Sequence, residues 1–147
     1  MQLLAQLNEH EVRYLVLWDF TDPDGSGRTV GNFGLWVDPN HDNKTRLLSL
    51  LANMGYPNES IRQLRHVDFF VPFAFTLKLP SGLEIDIMTA PEDCDTERFD
   101  DYYQKATPVK WEDITFHLIE WATVSDNHAA FTGQIAASSM LIKPYRE

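Results

Sequence analysis

The chain has 147 residues, 44% of them hydrophobic and 23% charged, which describes one ordinary globular domain that buries most of its extended-chain surface. With 12 basic and 22 acidic residues its net charge is −10, a field that repels phosphate backbones, so no nucleic-acid partner is expected. Its apolar runs fall short of the roughly 20 residues that cross a bilayer, and neither its acidic start (MQLLAQLNEHE) nor its lone Cys94 suggests export. A reducing cytoplasm is the expected location, with no membrane partner.

Leu3, Leu4 and Leu7 have the spacing of a helix with one buried face. Residues 12–18 (VRYLVLW) read as a strand buried on both sides, and 19–27, rich in Asp, Gly and Pro, as a loop. A second strand covers 33–37, with Phe33, Leu35 and Val37 on one face and Asn32, Gly34, Trp36 and Asp38 on the other. Asn40 is placed to N-cap a helix with Asp42 in its first turn. Leu47, Leu48, Leu51 and Met54 form its core stripe, Gly55 its left-handed end, and Pro57 blocks continuation.

Residues 61–67 fit a short helix or a strand equally well. Phe73, Phe75, Leu77 and Leu79 alternate, Pro80-Ser81-Gly82 turns the chain, and Leu83, Ile85 and Ile87 alternate again, which predicts a hairpin. Glu84, Asp86 and Met88 take the opposite face. Residues 96–105 look helical, with Phe99, Tyr102 and Tyr103 inward. Residues 109–111 and 114–121 read as strands around a Glu112-Asp113 turn, with Trp111 and Trp121 packing in the core. The Ala-rich stretch 125–140 is predicted helical despite Gly133.

Few motifs carry chemistry. Asp22, Asp24, Ser26 and Gly27 imitate the first half of an EF-hand loop, but its twelfth position is Phe33, where a bidentate Glu is required. The five histidines lack zinc spacing. Cys94, between Asp93 and Asp95, makes a poor nucleophile. Trp18 and Trp36 adjoin the stretch that bears Asn32 and Gly34, where they either fill the core or form a recognition surface; large aromatics are usually mostly buried, which favours the core.

Four stretches together form a recognisable pattern: NEHEVRYLVL at 8–17, RTVGNFGLWVDP at 28–39, LLSLLANMGY at 47–56 and IDIMT at 85–89. Over residues 3–109 the chain resembles the nucleotidyltransferase superfamily, in particular its small prokaryotic, antitoxin-like members. The resemblance implies a single α+β domain over 1–147, with a mixed, mainly antiparallel sheet and helices covering one face. In that family a glycine pair approaches a triphosphate, and a D-x-D pair plus a third Asp hold two magnesium ions. Here the glycine pair aligns with Trp18 and Asp19, and D-x-D with Asn32 and Gly34; Asp86 alone remains as a catalytic and metal-binding carboxylate. Two cations flanking a phosphoryl group need several hard oxygen ligands. The resemblance therefore implies a degenerate homologue without a cofactor, acting by binding an NTP or a protein partner. An active enzyme is the alternative: Mg²⁺ or Mn²⁺ held by Asp86 with Asp19, Asp22, Asp24 or Glu84, passing a nucleoside monophosphate to a hydroxyl of a protein or small molecule. An interaction domain of a toxin–antitoxin pair is the third reading.

Overall fold

In the computed structural model, which describes residues 2–21, 30–91, 94–120 and 140–144, the chain opens with α1 (Gln2–Glu9). It enters the sheet through β1 (Tyr14–Thr21) and β2 (Val30–Val37), then forms α2 (His41–Asn53) and α3 (Asn58–Arg65). The hairpin β3 (Ala74–Lys78) and β4 (Glu84–Met88) follows, and a 3-10 turn at Thr96–Arg98 runs into α4 (Phe99–Lys105). Strands β5 (Thr107–Trp111), β6 (Ile114–Glu120) and β7 (Leu141–Ile142) complete the described elements. The strands form one sheet in the order β5-β6-β1-β2-β4-β3-β7. Its pairings alternate: β1–β2, β3–β4 and β5–β6 are antiparallel, whereas β1–β6, β2–β4 and β3–β7 are parallel. The α+β class and the mixed sheet are as expected, with parallel pairs as frequent as antiparallel ones among the described strands. No described helix is long and apolar enough to cross a membrane.

Alternation along the strands sorts side chains onto two faces. Tyr14, Val16, Leu35, Val37, Phe75, Leu77, Ile85 and Ile87 join a broad core, which α1, α2 and α3 cover with Leu3, Leu7, Leu47, Leu50, Leu51, Ile61 and Leu64. Leu15, Leu17, Trp36, Ala74, Met88 and Ile119 form a smaller core with Phe99 and Tyr102 of α4. Strand β1 is thus buried on both sides, as its unbroken apolarity predicts. Helices on one face is correct for α1 to α3 and incorrect for α4. The i, i+3 pair Phe99 and Tyr102 docks on Trp36, and alternation sends Trp36 to the second face.

Local chemistry sets the helix ends. Asn40 caps α2 through Asn43 N–H, 2.8 Å from its Oδ1. Gly55, at φ 88°, closes the helix with paired bonds from Tyr56 N to Leu51 O and from its own N to Ala52 O. Helix α1 ends on the same pair, Val12 N to Leu7 O and Glu11 N to Asn8 O, but the left-handed residue is Glu11 at φ 57°. Pro57 does stop α2, and it also N-caps α3, where Ile61 and Leu64 are buried and Arg62 and Arg65 are not. Of the undecided stretch 61–67, residues 61–65 are therefore the end of α3, and His66 and Val67 lie beyond it.

Several expectations change. Strand β1 runs to Thr21, so Asp19 belongs to it rather than to a loop, because the ladder with β2 continues through Asp19 and Asn32. Trp111 is 53% exposed, since β5 is an edge strand with little packed against it, and Leu83 is 50% exposed beside the hairpin turn. Most of the helix expected over 125–140, and Trp121, lie outside the described residues.

Candidate functional site

The register builds one row across the middle of the sheet. Leu17 lies opposite Gly34, Gly34 beside Asp86, and Asp86 opposite Thr76. Ile85 and Ile87 belong to the larger core, so alternation turns Asp86 to the face that α4 partly covers. Asp86 is half-buried, and its Oδ1 accepts a hydrogen bond from Thr76 Oγ1 at 2.5 Å. Sequence reasoning did not single out Thr76. The hairpin would have given it, because pairing Leu77 with Ile85 puts Thr76 opposite Asp86.

The adjacent row, Leu15, Trp36, Met88 and Ala74, is closed by aromatic rings. Trp36 is fully buried, meets Phe99 edge-on at 5.6 Å and Tyr102 at 5.7 Å, and donates from Nε1 to Thr89 O at 2.8 Å. It is core packing, not a recognition surface.

On the other side of the Asp86 row, Asp19 pairs with Asn32, and Trp18 with Phe33. Two strand spacings and two residues of rise separate the Asp19 and Asp86 Cα atoms by about 12 Å. Glu84 is exposed at the start of β4, opposite Lys78. Asp22 and Asp24 lie outside the described residues, as does the rest of the EF-hand-like loop up to Thr29. Among the described residues, no three His, Cys, Asp or Glu side chains gather to hold a metal. Comparison with protein-family models, curated proteins and solved structures gives no match.

A second polar cluster lies at the far end of β2, and it was not anticipated. Asp38 and Asn43 are both buried. Arg13 Nη1 donates to Asp38 Oδ2 at 2.9 Å and to Asp100 Oδ1 at 2.5 Å, with its guanidinium 4.3 Å from the Tyr103 ring centroid. Burial works to lower the Arg13 pKa, but the bonds to Asp100 and Asp38 outweigh it, so the group titrates above its ordinary value. Asn43 accepts from Arg13 N at 2.6 Å and donates to Arg13 O at 3.0 Å and Asp38 O at 2.9 Å. Tyr14 donates to Asn8 Oδ1 at 2.9 Å; burial first, then Tyr103, pushes its phenol up to about 12. Protein partners satisfy these groups, which fasten the start of β1 to the end of β2, the start of α2 and α4.

Proposed function

We propose that this chain is a nucleotidyltransferase-fold protein that no longer transfers nucleotides and acts by binding, either of an NTP without turnover or of a protein partner. The observation that carries this is the register of Gly34 beside Asp86. The position next to the remaining acid, where the family places a metal-binding carboxylate, has no side chain at all. A two-metal mechanism needs both cations held at once, and one carboxylate backed by a threonine hydroxyl does not supply the ligands. The aromatic row beneath Asp86 is consistent with this, because Trp36 fills that part of the face with apolar volume.

Thermal unfolding with each NTP, alone and with Mg²⁺ or Mn²⁺, tests the proposal. A ligand at 100 times its Kd adds about 2.7 kcal/mol, which moves Tm by several degrees in a domain of this size. A shift that needs both NTP and metal supports nucleotide binding. No shift under any condition removes the nucleotide and leaves the protein partner. Labelled-ATP transfer that is abolished by Asp86→Ala overturns the proposal and makes the chain an active enzyme with rearranged carboxylates.

A further inference from the structure

A cluster of basic side chains lies away from Asp86, between α2 and α3. These helices cover the opposite face of the sheet and leave a groove of about 640 Å³ between them, lined by His41, Lys44, Arg62 and Arg65 with no acidic side chain in its wall. In a chain of net charge −10 such a wall is unexpected. Basic residues at the end of α3 complement its dipole, and Lys44 reaches the carbonyls there from α2, but that effect does not account for Arg62 and His41 lining the same wall. Nor does ion pairing: among the described residues, no carboxylate forms a salt bridge with Arg62 or Arg65.

Lys44 is fixed in place. Its Nζ donates to Arg65 O at 2.9 Å and Val67 O at 2.5 Å and sits 4.9 Å from the centre of the Phe69 ring. Burial lowers its pKa, Asp68 opposes this and Arg65 adds to it. The ammonium is therefore held partly desolvated near Arg65, in the same groove wall as Arg62, a position that an incoming anion would stabilise. Arg62 and Arg65, three apart on one helix, lie about 5–6 Å apart at Cβ. Their planar guanidinium groups can grip phosphate oxygens in pairs. Ser49 adds a hydroxyl from the α2 side, and the buried Ile61 gives the groove an apolar floor. The volume lies in the range of small-molecule sites.

We infer that the α2–α3 groove is an anion-binding site for a small molecule carrying one or more phosphate groups. The acidic remainder of the surface repels a long polyanion, which would extend beyond the groove, but a compact one fits within the cationic wall. This site is separate from the Asp86 row and does not depend on the function proposed for it.

The test is titration with pyrophosphate at low salt, followed through the backbone amide resonances, on the wild-type chain, Arg62→Gln/Arg65→Gln and Asp86→Ala. Saturable shifts confined to α2 and α3, with a Kd raised about tenfold or more in the double arginine variant and unchanged in Asp86→Ala, are expected. Shifts scattered over the surface, or a Kd indifferent to the arginine changes, overturn the proposal. A loss in Asp86→Ala overturns it too, by placing the anion in the Asp86 row. Inorganic phosphate and ATP in parallel distinguish a single-phosphate ligand from a nucleotide. Hexaglutamate binding more tightly than pyrophosphate overturns the phosphate assignment in favour of an acidic peptide.

Discussion

Two carboxylates lie close to β2, one at each functional extreme. Asp38 is buried and satisfied by Arg13 and by Asn40 N–H at 3.2 Å, in a cluster that joins four elements. Asp86 is half-buried, accepts from Thr76, and stands beside a glycine. Alternation along β2 treats Asn32, Gly34, Trp36 and Asp38 as one series, yet the far end of that series became an architectural joint. What separates them is burial and charge: Asp38 is buried against a guanidinium, whereas Asp86 is half-buried and bonded to a neutral hydroxyl.

Substitutions can break or sharpen this contrast. Asn43→Ala has the largest expected effect, because it orphans Arg13 N–H and Asp38 C=O and removes one of the two donors to Arg13 C=O; a loss of about 3 kcal/mol should appear in urea unfolding. Next is the alkaline limb of stability. The Tyr14 phenol titrates near 12 in the fold against about 10 in the unfolded chain, so its full contribution is present below pH 10. Between pH 10 and 12 only the unfolded chain ionises, and stability falls by at most about 2.7 kcal/mol. Tyr14→Phe should flatten that limb, and Tyr56, whose pKa is also raised by burial, contributes in the same direction to the slope that remains. Arg13→Met should cost about 2 kcal/mol, less than for a fully buried pair because solvent reaches the guanidinium. Asp86→Asn is expected to change stability by less than about 1 kcal/mol. A cost of about 2 kcal/mol or more in the same assay would make Asp86 a second Asp38 and end the contrast.

What was legible in the sequence is what neighbouring residues decide. The Asn40 cap, the Gly55 stop and the hairpin turn at residues 80–82 each need only a few consecutive positions. Glu11 was not legible as a helix end, because nothing local marks a glutamate for left-handed backbone; long-range packing of Leu7 and Val12 imposes it. Exposure of Trp111 follows from the position of β5 at a sheet edge, which composition does not encode. The side of α4 was hidden for the same reason, since it depends on how the hairpins are laid together. At the candidate site, the adjacency of Gly34 and Asp86 is a parallel pairing across two helices and a hairpin, and strand periodicity alone does not reveal it. The Arg13–Asp38 pair likewise depends on β1 and β2 being antiparallel.

The alternation of pairings also imposes a schedule on folding. Every antiparallel pair joins strands that follow one another in the chain, whereas the parallel joins set Val16 beside Leu118 and Gly34 beside Asp86. Hairpins form in about 1–10 μs, while distant closures must first meet a larger entropic cost. Three ribbons therefore assemble early and wait for one another, each with an open flank on which another molecule's ribbon can dock. Refolding yield should fall with protein concentration even where the native protein stays dispersed, because the hazard belongs to the interval between zipping and joining.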